Sequence, residues 1–161
     1  MVSSFSYVAE SLPPELFKSL LEKNWISVRN MPKPDIIVVN DPEDARIRFD
    51  MSTGDIITIV TGGPETIKYR GNVSYYDRVY PLTLEIWTKV DRQRLRDLWK
   101  QIKGIVFDHL FAIQGYQIIR LQSYTEMVND AVNIWKGQVR LTVEAAGVCV
   151  ETNGDYDRFN V

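Results

Sequence analysis

Apolar residues recur along this chain with two periods, and the switches between them lay out its elements. After Pro13-Pro14, the residues Leu16, Phe17, Leu20 and Leu21 return at helical spacing. Pro14 suits a first turn, Glu15 sits at the positive end of the dipole, and Asn24 is a stop before Trp25. The pattern predicts an amphipathic helix of about three turns. A connector over 29–34 carries two prolines, which deny it both helix and ladder. Ile36 to Val39, between Asp35 and the turn Asn40-Asp41-Pro42, predicts a strand buried on both faces. Ala45, Ile47 and Phe49 alternate with Arg46, Arg48 and Asp50, predicting a strand with one wet face. Ile56 to Val60 is the next strand, closed by the turn Thr61-Gly62-Gly63-Pro64; 66–72 then reads as a polar loop projecting from the body.

Val73 to Thr88 is the longest strand pattern, with Leu82, Leu84 and Ile86 pointing one way and Thr83, Glu85 and Trp87 the other. Pro81 lies inside it, so a bulge or an edge position must absorb the missing N–H. Asp91 caps a long helix predicted to run to about Phe111, on the apolar stripe Leu95, Leu98, Trp99, Ile102, Val106 and Leu110. At about 100° per residue, Arg92, Arg96, Lys100 and Lys103 share an adjacent arc and form a basic face. Gly104 in this helix predicts close packing or a local bend. Ile118, Ile119 and Leu121 begin another strand, 125–130 reads as a polar crossing, and Ile134 to Val150 closes the fold with clean alternation from Val139 to Ala145. Residues 152–161 form a polar tail, and 1–13 an N-terminal arm. The expectation is one α+β domain over 1–161, a single mixed or antiparallel sheet packed by two helices.

Composition narrows the chemistry. The chain has 161 residues, 19 Lys plus Arg against 21 Asp plus Glu, one cysteine and one histidine. The near-balance gives no basic field for nucleic acid and no polybasic membrane anchor. Cys149 alone closes no internal disulfide, and His109 alone leaves His/Cys metal clusters out of reach. The start of the chain has no signal-peptide pattern, and the apolar runs are too short to span a bilayer; the expectation is a chain that stays where it is made, in a reducing cytoplasm. Gly62-Gly63-Pro64 fails as a phosphate cradle, because proline removes a donor and no Lys-Ser/Thr pair follows. His109 reads as a core-edge residue near a helix end, Cys149 as a buried inert thiol, and Glu43-Asp44 and Asp155…Asp157 as turn or tail acids. The sequence therefore predicts no catalytic, cofactor or metal site. What remains is surface. The basic helix face is either solvated or an interface with acidic partners. Tyr69, Tyr75, Tyr76, Tyr80, Trp87 and Trp135 crowd two strands and their loops, and are either interface aromatics or a second minor core.

The order and wording of these elements resemble the tail-terminator (tail-completion) proteins of long-tailed bacteriophages and related archaeal viruses. The resemblance rests on the early strand 35–42, Gly54-Asp55-Ile56-Ile57-Thr58-Ile59, and the tyrosine-rich strand Tyr75-Tyr76-Asp77-Arg78-Val79-Tyr80 leading to Leu84-Glu85-Ile86-Trp87-Thr88. It continues in the arginine-rich helix from Arg92, the Gly115-Tyr116 re-entry with Arg120-Leu121, and Trp135-Lys136-Gly137 before an alternating strand. It implies a ferredoxin-like or tail-terminator-like subunit in a homo-oligomeric ring, usually a hexamer. Such a ring would lie in the virion neck, end the tail tube, and touch the tail tube protein and a neck or head-closure protein. The interface residues expected on this reading are Arg92, Arg96, Lys100, Lys103, Tyr69, Tyr75, Tyr76 and Trp135, with no catalytic residues, no cofactor and no sequence-specific nucleic-acid binding. A head-closure or neck adaptor subunit, and a ferredoxin-like ligand-binding regulatory domain, are the alternatives.

Overall fold

The computed structural model describes residues 13–27, 32–39, 54–69, 75–113, 116–129 and 134–149, without the side chains of 75, 128, 129 and 147–149. The strand expected at Ala45–Phe49, the N-terminal arm and the tail 152–161 lie outside these residues. The elements are α1 (Pro13–Asn24), β1 (Asp35–Val38), β2 (Ile56–Thr61), β3 (Thr66–Tyr69), β4 (Tyr75–Thr88), α2 (Arg92–Asp108), β5 (Ile118–Asn129) and β6 (Ile134–Cys149). They build one mixed sheet in the order β1-β2-β4-β6-β5, with β3 also on β4. Among the described strands only β1 and β2 pair in parallel. The unit β4–α2–β5, with β6 inserted between its two strands, is a split β-α-β crossover.

Local chemistry explains the helix ends. Asn24 Nδ2 donates to the Leu20 carbonyl at 2.8 Å and closes α1. The Asp91 carboxylate accepts from the Arg94 amide at 2.7 Å and opens α2 as its N-cap. His109 is the C-cap, with its ring Nδ1–H donating to the Ile105 carbonyl at 2.9 Å. The helix thus stops at Asp108, short of the expected Phe111, and Phe107 and Phe111 are left exposed. Gly104 also differs from expectation: a Cβ there would meet nothing within 4 Å, so the position faces open space.

Both helices lie on one face of the sheet. Phe17, Leu20 and Leu21 of α1 and Leu95, Leu98, Ile102, Ile105 and Val106 of α2 bury against Ile57, Ile59, Leu82, Leu84, Ile86, Val139, Leu141 and Val143. Truncating Phe17, which has no exposed surface, would cost about 3–5 kcal/mol. On the opposite face Val39, Ile56 and Trp87 form a smaller cluster. Trp87 is only 6% exposed, so it belongs to a minor core and not to an exposed aromatic surface. Lys136 spans this face, 3.2 Å from the Glu85 carboxylate and 4.6 Å from the Trp87 ring centroid.

The stretch Ile36–Val39 is covered on both faces as expected: Ile36 and Val38 pack into the helix-side core, and Ile37 and Val39 into the opposite cluster. Ile37 and Val38 stay half-buried because β1 is the outermost of the described strands. Two other stretches depart from the sequence expectation. The expected loop at 66–72 begins with β3, whose register Thr66↔Val79 to Tyr69↔Tyr76 makes it the outer strand of a hairpin with β4. The expected crossing at 125–130 is the second half of β5, paired with β6 as far as Asn129↔Ile134. Pro81 is resolved by its neighbour. β2 and β3 lie end to end along one side of β4, and the break between them, 62–65, falls opposite Pro81. Gly62 N–H donates to the Pro81 carbonyl at 3.0 Å, so the side on which Pro81 lacks an N–H faces that break.

Candidate functional site

The chemistry of this chain is concentrated on two surfaces at opposite ends of the β4–β6 ladder. The first is the basic face of α2. The Asp91 cap fixes where the helix starts, and so puts Arg92, Arg96, Lys100 and Lys103 on one arc beside β5. Glu126 of β5 anchors the arc: Arg96 Nε donates to its Oε1 at 2.8 Å, and Arg92 Nε lies 3.4 Å from Oε2. The hydrogen bond from Arg96 holds the Glu126 carboxyl below the usual carboxylate range, with burial opposing and the charges of Arg96 and Arg92 adding to the lowering. Arg96 is correspondingly raised above its ordinary value by the Glu126 hydrogen bond and charge. Two guanidiniums meet one carboxylate, and their side chains are 50% and 54% exposed, so the surface keeps an excess of positive charge.

Aromatic rings hold the same surface in place. The Arg92 guanidinium lies 5.8 Å from the Trp135 ring centroid, and Lys103 Nζ lies 5.7 Å from that of Trp99. Trp99 stacks on Tyr124 at 4.9 Å with the planes 4° apart. Burial, and then the Glu126 charge, push the Tyr124 hydroxyl up to about 12. Tyr124 in turn lies against the backbone of Gly137, where a Cβ would come within 2.8 Å of its Cε1.

The second surface is an arm formed by β3, the first half of β4 and the end of β6. All four β3 residues are exposed, and Ile67 and Tyr69 show 51% and 59% of their surface. Tyr69 and Tyr76 touch at 6.1 Å between ring centroids. A clamp ties the arm to the body: Arg78 Nε donates to Glu65 Oε1 at 2.7 Å, the Tyr116 hydroxyl donates to the same oxygen at 3.3 Å, and the Arg78 guanidinium lies 4.9 Å over the Tyr116 ring. From Tyr76 at the arm to Thr88 at the other end, β4 spans about 40 Å at ~3.3 Å per residue.

Between α1 and α2 runs an open groove of about 940 Å³, lined in part by Trp25, Ile26, Arg94, Asp97, Gly104 and His109. Several of its polar groups are engaged structurally. Asp91 caps α2, Arg94 is 2.8 Å from Asp55, Gln93 donates to Asp97 at 3.0 Å, and His109 bonds Ile105. Among the described residues no cluster of three or more His, Cys, Asp or Glu could hold a metal, and no helix is long and apolar enough to cross a membrane.

The expected residues thus fall into two groups. Arg92, Arg96, Lys103 and Trp135 converge at one end, with Lys100 exposed on the same arc. Tyr69 and Tyr76 sit on the arm, and the side chain of Tyr75 lies outside the described residues. Sequence reasoning missed Glu126, Tyr124 and Gly137, and the Glu65–Arg78–Tyr116 clamp. The signal for Glu126 was present, because Tyr124, Glu126 and Val128 alternate one residue out of phase with Ile119 and Leu121.

No protein-family model and no curated protein matches the chain. Among solved structures it is similar to a chain from the virion of a native gene transfer agent particle. That likeness has 7% identity and a TM-score of 0.49, covering 90% of this chain and 92% of that one.

Proposed function

We propose that this chain is a structural subunit of a virion: a ring-forming tail terminator that ends the tail tube at its head-proximal end and docks to the neck. The observation that carries the reading is the pair of unlike surfaces about 40 Å apart, a cationic–aromatic face at one end of β4 and a bare tyrosine-bearing arm at the other. A closed ring of identical subunits other than a dimer needs heterologous contacts, in which each copy offers two different patches. The long β4–β6 ladder and the Glu65–Arg78–Tyr116 clamp hold the arm rigidly, so the angle between patches is fixed by the fold. A fixed angle decides whether a head-to-tail chain closes or runs on as a filament. Exposed tyrosine and arginine are the side chains that interfaces favour. The residue-level resemblance to tail terminators supports the same role. On this reading the protein works by shape and transforms no substrate.

Electron microscopy of the purified protein mixed with tail tubes tests the proposal. Rings seated on one end of the tubes, with tube growth stopped there, are expected. Rings that bind only a portal or neck assembly would make the chain a head-closure adaptor, and a monomer that ignores tubes would overturn the reading.

A further inference from the structure

The basic face of α2 has more cations than its own fold uses, and the chain carries an acidic segment beyond β6. Arg92 and Arg96 meet Glu126 on this face, each about half exposed, with Lys100 and Lys103 on the same arc. The segment after β6, 150–161, holds Glu151, Asp155 and Asp157 against the single cation Arg158, together with Tyr156 and Phe159. The charges are complementary. We propose that residues 151–157 dock on the α2 basic face of a neighbouring copy, so that the aspartates take the unspent donors of Arg92 and Arg96. This deepens the ring reading and rests on it.

Chain length decides between the same copy and the next. Arg92 and Arg96 are pinned at the level of Glu126, which pairs with Gly137 on β6. From Gly137 to Cys149, β6 runs away from that level for about 40 Å at ~3.3 Å per residue. Asp157 stands eight residues beyond Cys149, a main-chain reach of at most about 29 Å. The main chain at Asp157 therefore stops roughly 10 Å short of the level of its own paired arginines, even with the tail fully extended back along the sheet, and an aspartate side chain with its hydrogen bond adds only about 6 Å. The tail leaves at the arm end, which the ring reading sets against the next subunit. Paired guanidiniums suit carboxylates because planar forks bind them in a bidentate way.

The test is a fluorescent peptide of residues 150–161, titrated by anisotropy into the full chain carrying Glu151→Lys, Asp155→Lys and Asp157→Lys, whose own tail no longer competes. Saturable binding is expected, falling about tenfold or more with added salt as screening sets in, and lost when Arg92→Glu and Arg96→Glu are added. If that pair unfolds the chain, Arg92→Gln with Arg96→Gln replaces it and should weaken binding by a similar factor. No binding, or binding indifferent to these arginines, overturns the inference. Ring mass gives the second readout. The tail reversal should dissociate rings, and combining it with Arg92→Glu and Arg96→Glu should restore them; rings untouched by the tail reversal contradict the inference and leave the ring reading standing. A wild-type chain that forms no ring but whose reversed-tail form binds the peptide sinks the ring reading alone.

Discussion

Gly137→Ala is the sharpest perturbation of the stack beneath the cationic face. A Cβ on residue 137 would lie 2.8 Å from Tyr124 Cε1, 3.1 Å from its hydroxyl and 3.3 Å from Leu95 Cδ1, where ordinary contact begins at 3.4 Å. Tyr124 is held by its stack on Trp99, so the ring cannot swing away without breaking that contact. Forcing a methyl group into a packed site costs about 1–3 kcal/mol. Replacing a strand glycine returns about 0.5–1 kcal/mol of backbone entropy. The net expectation is a loss of up to about 2.5 kcal/mol, which for a domain of this size lowers Tm by up to about 10 °C. Urea unfolding followed by circular dichroism should show a lower midpoint at constant slope. In a Tyr124→Ala background the two closest approaches are gone and only the 3.3 Å contact with Leu95 Cδ1 remains, so the same substitution should be near neutral. That difference is a coupling of at least about 1 kcal/mol. Equal effects of Gly137→Ala in both backgrounds would refute the packing argument.

Three further outcomes follow from the same geometry. Gly104→Ala adds a side chain into open space on a helix, and should raise stability by about 0.5–1 kcal/mol, read as a higher urea midpoint. Glu126 has its folded pKa depressed from 4.5, so its contribution is present above that pH and fades as pH falls through the folded value. Glu126→Gln should therefore flatten the fall in urea midpoint below about pH 4.5 and leave the slope near neutrality unchanged. Tyr124 has its pKa raised to about 12 from 10.0, so its contribution is complete below pH 10 and lost as pH climbs toward 12. An alkaline absorbance titration should include a phenol ionising near pH 12, and Tyr124→Phe should remove it.

How far the fold could be read in advance depended on whether burial left an uninterrupted period. α2 was legible because Asp91, the apolar stripe and the basic arc all agree with one helical register. β6 was legible from Val139 to Ala145 for the same reason at period two. β5 was legible only at its start, Ile118 to Leu121, because a bulge at Gln122 puts one extra residue opposite β6, and the alternation restarts out of phase. That shift hid Glu126, and with it the fact that the basic face is already partly neutralised. β3 was hidden for a different reason. None of its residues is buried, so no pattern marks it, and its ladder is supplied by β4 from a distance. β1 was legible because its β-branched run alternates between the two clusters, Ile36 and Val38 on the helix side, Ile37 and Val39 on the other. Of the aromatics, Trp87 stayed open between an interface and a second minor core, because sequence cannot say which face of a two-sided sheet is covered; the structure places it in the minor core.

Native mass spectrometry of the full chain over a wide concentration range bears most directly on the claim that copies join through two unlike surfaces. A single closed stoichiometry, six on the tail-terminator reading, should appear and persist on dilution better than any open intermediate. A monomer at every concentration, or a symmetric dimer and nothing larger, would contradict it.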